Sequence, residues 1–299
     1  MKRILLLVYP LLSLVGFSSC RAQSTVLLPV AKDNNSLLWE ISGNGLKQPS
    51  YIFGTFHIMC REDIVFSETL RKAVASSNEV YFEMDLDDPA NTFGAILYMN
   101  MKGGKSLSDL YTEEEYKKLS AYFADSVKMP LTMFKRMKPM MLEALLYPKM
   151  LACKNMSGVE EELMKLAKEG KKEVKGFEDI KFQSSVFDSI PYDKQAKELL
   201  KTIDSIGEYK KYFDTMVQVY KSQRITEIET LFTKTEFGME DNMDVLLYNR
   251  NRNWVVQLKN ILPKKSIFAA VGAGHLVGDQ GVLELLRKEG YTVKPLLNK

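Results

Sequence analysis

The chain has 299 residues, 45 % hydrophobic and 26 % charged, with 41 basic against 38 acidic side chains and a formal net charge of +3. That length supports a sizeable core and could form one large domain. The near balance of charge argues against a nucleic-acid partner or a polyanionic substrate.

Lys2 and Arg3, an apolar run from Ile4 to Phe17 and the small residues after it predict a secretory signal over residues 1–19. Two cleavages compete. Ser18-Ser19-Cys20 resembles a bacterial lipobox, with Cys20 carrying lipid, although Phe17 stands where Leu is usual. Cys20-Arg21-Ala22 would instead suit an ordinary signal peptidase. The lipobox is preferred. It implies a periplasmic or outer-membrane lipoprotein of a bacterial cell envelope, held on the membrane by lipid alone, and otherwise a secreted protein. No later apolar stretch is long enough to span a bilayer. Residues 20–35 are polar and read as a tether. With Cys20 lipidated, Cys60 and Cys153 remain, and in an oxidising compartment such a pair often forms a disulfide. Cys60 also follows His57 by three residues, which is metal-ligand spacing.

From Leu37 the order is legible. "LLWEIS" alternates as a strand, Gly43, Asn44, Gly45 and Pro49 supply a turn, and "YIFGTFH" returns as the second strand of a hairpin. "SETLRKAVASS" predicts a short helix opening at Ser67. "EVYFEMD" is a third strand with Val80, Phe82 and Met84 on one face and Tyr81, Glu83 and Asp85 on the other. The middle is helical. Thr112 and Glu115 form a capping box, Pro139 opens a methionine-rich helix, and Ser157 with Glu160 predicts a second capping box on a helix stopped by Gly170. "KKEVKGFE" is a strand ending near Glu178. Residues 184–262 return to charged helices. The C-terminal part reads strand ("SIFAAVGAGH"), helix ("DQGVLELLRKEG"), strand ("YTVKPL"). The expected fold is therefore α/β: a mixed central sheet formed by the N- and C-terminal segments, with helical insertions over about 106–170 and 184–262 in a single domain of residues 36–299.

The chain contains two histidines, and both stand three residues after a glycine: Gly54-x-x-His57 and Gly272-x-Gly274-His275. Ligands of α/β sheets bind beyond the carboxyl ends of the strands. His57, Glu83, Glu178 and His275 all lie at or near predicted strand ends, where parallel strands would bring them to one edge. Gly54, Gly272 and Gly274 would let the backbone bend or approach a ligand. Two imidazoles and a carboxylate suit a divalent transition metal such as Mn, Co or Zn, and such a metal makes bound water a nucleophile near neutral pH. On this pattern His57 and His275 with a strand-end carboxylate, Glu83 among the candidates, would hold the metal, and a second carboxylate such as Glu178 would be general base, with Asp85 beside it; Glu83 and Asp85 could instead pair with surface lysines, and Glu178 could cap a helix.

These stretches, with "KGFEDIKFQ" and "RNRNW", resemble the TraB/GumN family, a group that includes the animal TIKI metalloproteases; the resemblance runs from about Leu37 to Leu297. It implies a fold like the erythromycin esterase and ChaN-like α/β group. His57, His275 and Glu83 fall on its motifs, as do Gly176-Phe177-Glu178, where leucine is usual for Phe177, and Arg250, Asn251 and Trp254. Arg250 would neutralise an acid or an oxyanion, unless it is a surface arginine. The activity implied is metal-dependent hydrolysis of a peptide or small protein. Two alternatives stand beside it: a non-catalytic envelope protein binding metal, haem or peptide, and a cysteine hydrolase using Cys60 beside His57.

Overall fold

The computed structural model describes residues 28–31, 34–85, 87–88, 98–233 and 242–299. The predicted signal, Cys20 and most of the tether lie outside them. β1 (Leu38–Ser42) and β2 (Ser50–Thr55) form the expected antiparallel hairpin, with Leu38 opposite Phe53. The strand thus ends two residues before His57. β3 (Met59–Cys60) follows, then α1 (Glu68–Ser76), whose cap Ser67 accepts the Leu70 amide. β4 (Glu79–Met84) alternates as predicted, Val80 and Phe82 entering one core and Tyr81 the other.

α2 (Glu113–Tyr122) opens on the Thr112–Glu115 capping box. The methionine-rich stretch is not one helix: it breaks into α3 (Pro139–Ala144) and α4 (Tyr147–Met150). Pro148 is the cause, because it has no amide proton and its ring would meet the carbonyl of Ala144 in a continuous helix. β5 (Met156–Ser157) pairs with β3. α5 (Val159–Glu169) and β6 (Glu173–Glu178) make the expected helix-to-strand crossover. Next come α6 (Ile180–Asp188), α7 (Tyr192–Asp204), α8 (Ile206–Lys221) and α9 (Ile225–Thr233). A π-helical turn over Asp244–Tyr248 leads into α10 (Asn249–Ile261). β7 (Ile267–Gly272), a 3-10 turn over Ala273–His275, α11 (Val282–Lys288) and β8 (Thr292–Pro295) complete the chain.

The strands join in the order β6-β4-β7-β2-β1-β8. β6, β4, β7 and β2 are mutually parallel, and β1 and β8 are antiparallel to their neighbours. The fold is the mixed α/β sheet expected, with one refinement. The helices do not form a single inserted layer but cover both faces. Phe53, Phe82 and Phe268 pack beneath Leu70, Leu163, Leu199 and Phe213, while Ile52, Ala269 and Val271 pack against Trp254, Leu258, Leu283 and Leu286. Parallel strands carry apolar side chains on both faces and need both covered. Cys60 and Cys153 form a disulfide, Cα–Cα 5.8 Å, beside the β3–β5 pair.

β6 approaches the end of β4 very closely at Gly176. A Cβ there would lie 2.7 Å from the Met84 carbonyl carbon and closer still to the Asp85 amide nitrogen. Backbone cannot swing aside as a side chain can. Gly176→Ala is expected to cost about 2 kcal/mol, within the usual penalty for overpacking, read as a lowered urea midpoint at constant slope. An unchanged midpoint would show that the strands have room.

Candidate functional site

Four adjacent parallel strands deliver four functional side chains to one edge of the sheet. β6 ends on Glu178, β4 carries Glu83 one residue from its end, β2 leads to His57, and β7 leads through its 3-10 turn to His275. Thr55 stands opposite Gly272 in the register, so the two G-x-x-H segments leave the sheet side by side.

Arg250, on the first turn of α10, holds this edge together. Its side chain is 11 % exposed, so it is not a surface arginine. Nε donates to Glu178 Oε1 at 3.0 Å, Nη2 to Glu178 Oε2 at 2.8 Å and to Glu83 Oε2 at 2.7 Å, and Nη1 to the Leu246 carbonyl at 3.0 Å and to His275 Nε2 at 3.2 Å. All five N–H donors of the guanidinium therefore have acceptors. The π-helical turn places the Leu246 carbonyl within reach. Glu178 also accepts from Trp254 Nε1 at 2.7 Å and Gln183 Nε2 at 3.2 Å. Burial alone would raise the Glu83 carboxyl. His275 and Arg250 oppose that rise, and the carboxyl ends below its usual range with help from the Gly272 amide, which donates at 2.7 Å. Since burial keeps His275 neutral, the weight of that lowering falls on Arg250 and on the charged His57 ring.

The two imidazoles are oriented alike but charged differently. His275 is buried and packs on the Trp254 ring at 4.4 Å. Its Nδ1 is 2.6 Å from Asn251 Oδ1; because that oxygen only accepts, Nδ1 carries the proton and Nε2 the lone pair. Burial, with Arg250 nearby, lowers its pKa to about 3. His57 lies open to the cleft, its side chain 73 % exposed. Its Nδ1 donates to Glu160 Oε1 at 2.7 Å, which also accepts from Thr55 Oγ1 at 2.6 Å. The Glu160 charge raises the His57 pKa to about 9. Water screens so open a pair, which therefore orients the ring more than it stabilises the fold.

Between the imidazoles lies Gly272. A Cβ there would be 3.2 Å from Glu83 Oε1, 3.6 Å from His275 Cδ2 and 3.7 Å from His57 Nε2, so the missing side chain leaves a space all three residues border. The donors suit a divalent metal in kind and orientation: both rings have Nδ1 anchored, as ligating histidines do, and a carboxylate stands beside them. They are not drawn together as a finished set. Among the described residues, the group whose donor atoms all lie within 4.8 Å of one another is Cys60, Glu62 and Cys153, where the disulfide has consumed both thiols. Ligation by His275 requires Nη1 of Arg250 to give way. The site opens into a cleft of about 590 Å³.

The structure thus gathers His57, Glu83, Glu178, Arg250 and His275, and it changes several assignments. Asp85 is not among the cleft residues; its Oδ1 accepts the Asp87 amide at 3.2 Å. Glu178 has donors on both oxygens and is committed to Arg250, Trp254 and Gln183. Gly54 gives room to Ala273 and Leu276 and not to a ligand; Gly274 lies in the 3-10 turn. The disulfide removes Cys60 as a nucleophile. Glu160 is a site residue that the sequence reading spent on a capping box. That box does not form: Gly158 is the cap, and the Ser157 hydroxyl bonds Glu161 and Glu162.

Residues 37–295 match the TraB/PrgY/gumN family. Curated relatives include the metalloprotease TIKI2 of Danio rerio, 24 % identical over 88 % of this chain and 61 % of the relative, and the metalloprotease TIKI1 of Homo sapiens, 24 % over 90 % and 63 %. A metalloprotease TIKI homolog of Nematostella vectensis is 20 % identical over 94 % and 73 %. The chain spans less than two thirds of the length of the fish and human relatives. No solved structure matches it.

The His57–Glu160 pair gives a titration to follow. The folded pKa of about 9 lies above the ordinary 6.5. The pair's contribution to stability is therefore complete below pH 6.5 and disappears as the pH rises through about 9. In chelator-treated protein the His57 ring protons should shift in NMR near pH 9, and Glu160→Gln should bring that midpoint down by at least one unit. A wild-type midpoint at 6.5 would mean that the pair does not form in solution.

Proposed function

The chain belongs to the TraB/PrgY/gumN family, and from that membership and the site's geometry we propose that it is a metal-dependent hydrolase of peptide bonds. One observation carries the reading: two imidazoles from neighbouring parallel strands, each anchored through Nδ1, border one small space with Glu83. The likeness to animal metalloproteases supports both the metal and the peptide bond. The disulfide and the signal-like N-terminus support an exported protein, with Cys20 as its lipid anchor.

His57, Glu83 and His275 would hold the metal. A bound divalent metal lowers the pKa of its water and polarises a carbonyl. Asn251 keeps the His275 lone pair on Nε2, and Glu160 does the same for His57 once its proton has left. His57 would therefore give up a proton in order to serve as a ligand. With Nε2 of His275 holding the metal, Arg250 would keep one N–H of Nη1 free to stabilise an oxygen on which charge develops. Glu178 and Trp254 hold the guanidinium in place.

Protein purified without a His tag, reconstituted with Mn, Co or Zn and dialysed, should retain close to one metal per chain by elemental mass spectrometry. His57→Ala and His275→Ala should each lose it, and Asn251→Ala or Glu160→Gln should weaken it about 10–100-fold. A folded wild type that retains none of the three metals rejects the site. Retained metal without cleavage of any peptide leaves a binding protein.

A further inference from the structure

Among the described residues, the charged groups lining the cleft are His57, Glu83, Glu160, Glu161 and Arg250, and each already has a partner inside the protein. Glu160 accepts from His57 and Thr55, Glu161 from Lys165 at 2.8 Å and from Ser157 at 3.1 Å, and Glu83 from Arg250 and the Gly272 amide. Arg250 has no spare donor, and metal ligation by His275 would release only one. Bidentate capture of a carboxylate takes two parallel N–H groups. A terminal ammonium meets acids that are already spoken for. A charged chain end would thus be desolvated in this cleft without a counter-charge, which is costly.

What the described residues of the cleft offer freely is apolar surface: Met84 of β4, Met164 of α5, Val186 and Phe187 of α6, and Leu246 of the π-helical turn. Gln183 lies among them. Its amide nitrogen is committed to Glu178, which leaves the amide oxygen as an acceptor suited to a backbone N–H.

We propose that this cleft takes the interior of an extended peptide, seats an apolar side chain on that surface beside the site, and turns away acidic side chains and free chain ends. The proposal rests on the peptidase reading above and names its substrate class.

The test uses the full chain reconstituted with Co or Mn and a mixed library of ten-residue peptides, half end-blocked and half free-ended, read by mass spectrometry. The expected result is cleavage away from the ends, equal for blocked and free peptides, with Leu, Met, Phe or Val beside the cut preferred at least about tenfold over Asp or Glu, a discrimination of the size apolar pockets supply. Phe187→Lys, a half-buried position that places an ammonium on the apolar surface, should raise the use of acidic peptides at least about fivefold, as a new charge of opposite sign does at a specificity pocket. Stripping of single residues from free ends, equal use of acidic peptides by the wild type, or an unchanged preference in Phe187→Lys overturns the proposal and leaves the peptidase reading standing. The same library is passed over immobilised His275→Ala protein, which keeps the apolar surface. If nothing is cleaved, retention of apolar interior segments there keeps the cleft assignment and rejects the peptidase; retention of none rejects both.

Discussion

A guanidinium taken out of water must find acceptors for five N–H groups, and the architecture of this site follows from how Arg250 finds them. Two come from β6 and β4 as carboxylates, one from a backbone carbonyl of the π-helical turn, and one from the ring of His275 beyond β7. The fifth is again Glu178. One side chain thus joins two strands, a helix start and a turn that lie far apart in sequence. The Trp254 ring beneath it, 4.9 Å from the guanidinium carbon, closes the remaining face. Removing one member of such a buried set leaves the others uncompensated, at a cost on the order of 3–5 kcal/mol. The carboxylates of β4 and β6 are held in place by the same charge they neutralise.

Around this fixed cation the protein makes two histidines chemically unequal. His275 sits against Trp254 and beside Arg250, where a second positive charge has no place, so it stays neutral. His57 faces solvent and Glu160, where a proton is welcome. One ring offers its lone pair at every physiological pH, whereas the other must surrender a proton first. Environment alone makes this difference, since the two residues begin from the same G-x-x-H pattern.

Much of this was legible from sequence because strand ends are where side chains can converge. His57, Glu83, Glu178 and His275 were found by placing polar residues at the ends of short apolar runs, and the alternation in β4 was readable residue by residue. The failures have physical causes. Ser157 and Glu160 fit a local helix-start pattern, yet the Glu160 carboxylate finds a better partner in an imidazole brought by a strand about a hundred residues earlier, and a local pattern carries no trace of that. Asp85 alternates correctly with Glu83, but its backbone has left the strand and turned toward Asp87. The neighbours of Glu178 in space, Arg250, Trp254 and Gln183, are invisible in its own segment. The break in the methionine-rich helix was visible at Pro148 and outweighed by composition.

The strand order has a consequence for the life of the chain. β7, second to last to be made, lies in the middle of the sheet, between β4 and β2. Until it arrives, those strands have no common neighbour, and one imidazole and the Gly272 amide are missing from the edge. A chain still being synthesised therefore carries no assembled site until β7 and the turn after it have been added.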